Sequence, residues 1–206
     1  MLTALMSGPA LTAGELAREA GVTAQTASSH LSKLEKGGLI VVRKQGRHSY
    51  FALADADVGG VLEGLMGLAV RAGHQRTRHG PKEPALRNAR VCYDHLAGDM
   101  GVAMLDGLVA QGRITDADTP VLTADGEVFV AKLGIDLASL RQSRRPLCKS
   151  CLDWSVRRSH LAGALGGAML TRFYELGWAK RVKDSRTVTF SPTGQTAFAK
   201  TFGLER

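Results

Sequence analysis

The residues best equipped for chemistry sit in two short stretches, CYDH at 92–95 and CKSC at 148–151. Each holds two metal-capable side chains with two residues between them: Cys92 with His95, and Cys148 with Cys151. Two such pairs far apart in sequence commonly assemble a tetrahedral Cys₃His zinc site, because the spacing lets both ligands of a pair reach one ion. The same thiols admit a second chemistry. Cys148 and Cys151 lie among Arg144, Arg145, Lys149, Arg157 and Arg158, and nearby cations favour thiolate, so this pair is also a candidate redox disulfide. A third possibility is a pocket for a small organic molecule lined by Tyr93, Asp94, Trp154, Arg157 and His160. Those aromatics suit a core equally well, and Asp153 and Arg157 have the spacing of a helical i,i+4 ion pair. Thiol catalysis by Cys92 is the weakest option. Asp94 and His95 are adjacent and would point to different faces of a helix, whereas a triad needs the acid behind the histidine. No enzyme is expected.

What must position these groups is a segment with an internal echo. HLAGDMGVAML at 95–105 matches HLAGALGGAML at 160–170, an offset of 160 − 95 = 65 residues. Each copy reads as an apolar helix followed by a strand-like stretch, EVFVAKLG (127–134) and RTVTFSPTG (186–194). A period this long does not make a solenoid; two related helix-plus-hairpin halves around one core are expected. The repeat also bears on the metal reading. His95 recurs as His160, with no cysteine at the matching spacing, which suggests a structural role for this histidine. Ahead of the echo, a polar, basic run broken by Gly80, Pro81 and Pro84 reads as a linker, residues 76–85. It separates a unit at 1–75 from one at 86–206.

The first unit carries a different pattern. In GELAREA (14–20), Leu16, Ala17 and Ala20 form a stripe, Thr12 is placed to cap, and Gly21 is placed to terminate. A second helix begins near Thr23, with Ala27, Leu31 and Leu34 repeating at i, i+4 and i+7. Its other side is crowded with Gln25, Thr26, Ser28, Ser29, His30, Ser32 and Lys33. These compact hydrogen-bonders suit base edges and phosphates better than they suit a solvated helix. LIVVRK and RHSYFAL then form a hairpin about Gln45-Gly46, gathering Arg43, Lys44, Arg47 and His48 at its tip. Helix, tight turn, helix and basic wing together describe a reader of double-stranded DNA, with a protein-contact module that also binds zinc as the alternative. The fold class expected is mainly α with small β-hairpin wings (α+β).

The stretch LTAGELAREAGVTAQTASSHLSKLEKGGLIVVRKQGRHSYFAL closely resembles the ArsR-type winged helix-turn-helix regulators, over about residues 1–75. CYDHLAG and CLDWSVRRSHLAG resemble the longer subgroup with an extra C-terminal domain. The resemblance implies a homodimeric repressor on a palindromic operator, released by a signal: a metal ion, thiol oxidation or a small-molecule inducer. It implies a recognition helix at Thr23–Lys36 and a wing at Val41–Leu53. The cysteine pair that metal-sensing members carry before the recognition helix is missing from LTAGELAREAG, and Asp55, Asp57 and His74 offer only part of another known site. Family members usually carry a full dimerising helix where this chain begins with MLTALMSG. Val58, Val61, Leu62, Leu65, Met66, Leu68 and Ala69 make a wide apolar face suited to a partner subunit.

Composition fits. Lys plus Arg exceed Asp plus Glu by 27 − 19 = 8, which favours a polyanionic partner. Three cysteines are too few for a secreted disulfide framework, and no signal or membrane-spanning stretch is visible, so a cytoplasmic location without membrane association is expected.

Overall fold

The computed structural model describes residues 1–6, 10–46, 48–72, 83–183 and 185–204, in a mixed helix-and-strand arrangement. The first unit opens with α1 (Leu2–Leu5), β1 (Leu11–Thr12) and α2 (Ala13–Ala20). Thr12 caps α2 through a reciprocal box with Glu15, and Gly21 ends it in the left-handed region at φ 64°. Thr23 then caps α3 (Ala24–Lys36). Strands β2 (Ile40–Gln45) and β3 (His48–Leu53) form an antiparallel hairpin, with β1 on the far edge of β3. Gln45 pairs with His48, so the turn falls one residue later than expected, with Gly46 at φ 57°. Leu5, Leu16, Leu31, Ile40 and Phe51 fill the small core. The long helix α4 (Ala56–Arg71) follows. Most of the expected linker, like His74, lies outside the described residues; its last two positions already belong to α5 (Pro84–Asn88).

In the second unit the HLAG echo is built as strand, then helix. Hairpin β4 (Arg90–Cys92) and β5 (His95–Ala97) feeds α6 (Asp99–Ala110). After α7 (Ala124–Lys132) and α8 (Leu137–Arg141), hairpin β6 (Lys149–Leu152) and β7 (Ser159–Ala162) feeds α9 (Gly163–Glu175). The glycine of each copy, Gly98 at φ 83° and Gly163 at φ 86°, turns the chain from strand into helix. No side chain fits there: a Cβ on either would lie 2.5–2.7 Å from a backbone oxygen. The chain closes with β8 (Ala179–Arg181), β9 (Val188–Phe190) and α10 (Pro192–Phe202).

One expected strand is a helix. EVFVAKLG falls within and just after α7, where Thr123 caps the first turn and Val130 is buried while Val128 is exposed. Its β-branched and aromatic residues mimic a strand, but cap and core contacts decide otherwise. Helices α6, α9 and α10 supply half of the buried residues of the larger core, with Phe173 stacked on Trp178 at 5.6 Å and edge-on to Phe198 and Phe202. Among the described residues no helix is long and apolar enough to cross a membrane.

Candidate nucleic-acid interface and metal centre

On α3 the sequence pattern becomes a surface. Ala27 and Leu31 are fully buried and Leu34 half-buried, whereas Thr23, Gln25, Thr26, Ser28, Ser29, His30, Ser32 and Lys33 are exposed. Gln25, Ser29 and Ser32 stand opposite the buried stripe, with Ser28 and Lys33 flanking them. His30 lies nearer α1, bordering a shallow groove with Met1, Leu2 and Lys33. Thr23 and Thr26 are occupied with capping: the Thr23 hydroxyl accepts from the Thr26 amide at 3.2 Å. Arg43, Lys44 and His48 are exposed toward the end of the hairpin; Arg47 lies outside the described residues. A helix presenting small polar groups beside a cationic hairpin is what groove and phosphate contacts require.

The second site lies where the two hairpins of the C-terminal unit meet. Cys92 is paired across its hairpin with His95, and Cys151 across the other with His160. Ligand atoms of all four lie within 4.8 Å of one another and could hold a metal ion. The two thiols stand 4.0 Å apart and the two Nε2 atoms 3.2 Å apart, with the imidazoles stacked. Contact with Cys92 and with the two imidazoles holds the Cys151 thiol far below its ordinary pKa. The same contact, together with burial, pushes Cys92 upward.

Carboxylates stand behind both rings. Asp94 Oδ1 is 3.2 Å from His95 Nδ1, and its other oxygen takes Arg145 at 2.5 Å. Asp94 therefore reaches the histidine beside it, contrary to the expectation from adjacent helix positions, because both residues lie at a hairpin turn with Tyr93 at φ 61°. Asp153 Oδ2 is 3.9 Å from His160 Nδ1. That oxygen also accepts from Arg90 at 2.8 Å and from the Gly98 amide at 2.7 Å.

Arg90, wholly buried, extends the network into the first unit. Its Nε donates to Glu63 of α4 at 3.2 Å, and the same carboxylate oxygen accepts from Trp154 at 2.8 Å and Arg186 at 3.0 Å. Arg186 also donates to the Met6 carbonyl. Burial acts to raise the Glu63 pKa, but Arg186 and Arg90 overcome it and keep the carboxyl below its usual range. Two glycines let the units approach: Arg186 covers Gly59, and the Tyr93 ring lies where a Cβ on Gly60 would be 2.9 Å away.

Several expected groupings are thereby redrawn. Cys148 is not in the four-residue cluster; His160 takes its place. Cys148 lies just ahead of β6 and packs against the large core, whereas Cys151, inside the strand, meets Cys92. For the same reason Cys148 and Cys151 are not poised as a disulfide. The pocket grouping also separates: Tyr93 is exposed over Gly60, Asp94 holds Arg145, Trp154 is buried on Glu63, and His160 belongs to the cluster. Arg157, at φ 60°, sits in the turn between β6 and β7 and not on a helix, and Asp153 binds Arg90.

Sequence reasoning missed Glu63, Arg90 and Arg186, and misjudged His160. For His160 a signal existed. Cys92-Tyr93-Asp94 corresponds to Cys151-Leu152-Asp153, a shift of 59 rather than 65, because the second hairpin turn is six residues longer (65 − 59 = 6).

Two comparisons bear on these sites. A family model described as a helix-turn-helix domain matches residues 1–43. An uncharacterized HTH-type transcriptional regulator of Bacillus subtilis, YdfF, is 43% identical over 201 residues, spanning 97% of this chain and 89% of its own length.

Proposed function

Because the chain belongs to the HTH-type transcriptional regulators, we propose that it is an ArsR-type repressor that binds a palindromic operator as a homodimer. It acts in the cytoplasm, by binding rather than by turnover. The carrying observation is the α3 surface, where Gln25, Ser28, Ser29, Ser32 and Lys33 face solvent over a buried Ala27–Leu31 stripe. In this reading those side chains enter the major groove, and Arg43, Lys44, Arg47 and His48 lie along phosphates. Val61, Leu65 and Leu68, spaced i, i+4 and i+7 on α4, are each more than half exposed. They supply the dimer contact, which sets two recognition helices about one turn of DNA apart.

The two cysteine–histidine hairpins are read as related halves of a C-terminal sensory domain, joined to the DNA reader through residues 76–85. Of the three signals considered, a metal ion is favoured by the four converging donors, and Zn is the ion that a Cys₂His₂ set suits best.

The test is fluorescence anisotropy of the full chain on genomic and palindromic duplexes across a salt series. Binding that weakens steeply with salt and prefers particular duplexes supports the reading; no affinity for any duplex at low ionic strength overturns it.

A further inference from the structure

We infer that Cys92, His95, Cys151 and His160 form a closed, four-coordinate site for a thiophilic divalent ion of the zinc class, and that its occupancy is transmitted to α4 through Asp153, Arg90 and Glu63. The second half rests on the DNA-binding reading above; the first does not.

The donor geometry fits such an ion. Zn–N bonds of about 2.0–2.1 Å and Zn–S bonds of about 2.3 Å define a tetrahedron with edges of about 3.3 Å between nitrogens and about 3.8 Å between sulfurs. The corresponding separations here are 3.2 Å and 4.0 Å. Charge fits as well. Both cysteines bind as thiolates, and two thiolates neutralise a divalent cation, so the buried centre carries no net charge. With four protein ligands no position stays open for substrate, which suits a sensor or a staple and not a hydrolase.

The surroundings fit in turn. Two imidazoles that offer Nε2 to a metal carry their protons on Nδ1 and need an acceptor behind. Asp94 already serves His95 at 3.2 Å. His160 Nδ1 is buried without a hydrogen-bond partner, and the Asp153 Oδ2 acceptor stands 3.9 Å from it. Committing that Nδ1 as a donor draws on the oxygen that now holds Arg90 and the Gly98 amide. Arg90 is the direct neighbour of Glu63 on α4, whose Oε2 likewise has no hydrogen-bond partner. Asp94 leads elsewhere, to exposed Arg145. Of two similarly placed carboxylates, only Asp153 is wired to the DNA-binding unit.

The experiment uses full-length chain. Cobalt(II) titration of wild type should give one ion per chain with a tetrahedral, thiolate-ligated absorption spectrum, displaced by zinc. C151S and H160Q should lose that spectrum and C148S should keep it; a spectrum lost with C148S and kept with H160Q overturns the ligand set, as does a wild type that takes up no ion. DNA affinity is then measured with zinc-loaded and zinc-stripped protein. A difference of about 5–150-fold is expected for an allosteric coupling of ordinary size. E63Q preserves the accepting Oε1 and removes the charge. It should keep the tetrahedral cobalt spectrum and, at saturating zinc, lose most of that difference, whereas D94N should weaken metal about 10–100-fold and keep the difference at saturating zinc. A wild type that loads metal without changing DNA affinity, or an E63Q whose difference equals that of wild type, overturns the transmission. Metal binding without any DNA affinity in either form would instead sink the regulatory reading and leave the metal site standing.

Discussion

Glu63 is the single residue on which most depends, because three donors from the C-terminal unit converge on one of its oxygens. Removing it leaves buried Arg186 without this carboxylate and Arg90 with that of Asp153, so Glu63→Ala should cost about 3–5 kcal/mol, read as a lowered midpoint in urea denaturation. The sign of its pH effect follows from its depressed pKa. Its contribution is complete above the ordinary carboxylate value, about 4.3, and is lost as the pH falls through the still lower folded value. Glu63→Gln should therefore flatten the acid limb of a stability–pH curve; an unchanged limb would show that the carboxylate charge is not used. Sequence could not single this residue out, since one Glu on a largely apolar helix looks like a solvated position until its partners, up to 123 residues away, are known.

At the level of the element, caps and periodicity were readable because their partners are local. Thr12, Glu15, Gly21 and the stripe of α3 interact within one or two turns, so spacing alone fixed α2 and α3. Thr12→Ala should cost about 1 kcal/mol in thermal denaturation through the broken capping box. On the exposed face the expected outcomes divide by partner. Lys33→Ala or Arg43→Ala should weaken binding alike on all duplexes and reduce the salt slope by about one, whereas joint Ser28→Ala and Ser29→Ala should change which duplex is preferred. Equal losses on all duplexes from the serine pair would reassign that face to phosphate contact. Helix α7 shows where local reading fails. EVFVAKLG has strand-like composition, and only its seat against Arg113 and Leu122, at Gly126, reveals a helix.

For the molecule as a whole, α4 is used twice. One face, Gly59, Gly60 and Glu63, receives the C-terminal unit, and another leaves Val61, Leu65 and Leu68 bare. Replacing Leu65 and Leu68 with Lys should leave the fold intact, convert a dimer to a monomer in sedimentation velocity, and weaken binding to a two-half-site duplex more than to a single half-site. A variant that still sediments as a dimer would move the contact elsewhere. Tertiary contact between Arg186, Glu63 and the Met6 carbonyl also ties the beginning, middle and end of the chain together. The two units are accordingly expected to unfold in one transition, which calorimetry would show as a single peak.

The sequence by itself determined the helix-turn-helix, its hairpin wing and the polar face between them, because each depends on residues close in the chain and on a period that composition cannot hide. It also marked cysteine and histidine as the chemistry of the second unit. Which of them share a site was decided only in three dimensions. Cys148, just outside β6, packs on the core while Cys151 within the strand joins Cys92, and a hairpin turn lengthened by six residues conceals His160 as the partner of Cys151. The buried charges that join the site to the DNA reader belong to the same class: their stability comes from partners brought together by folding, and linear spacing carries no trace of them.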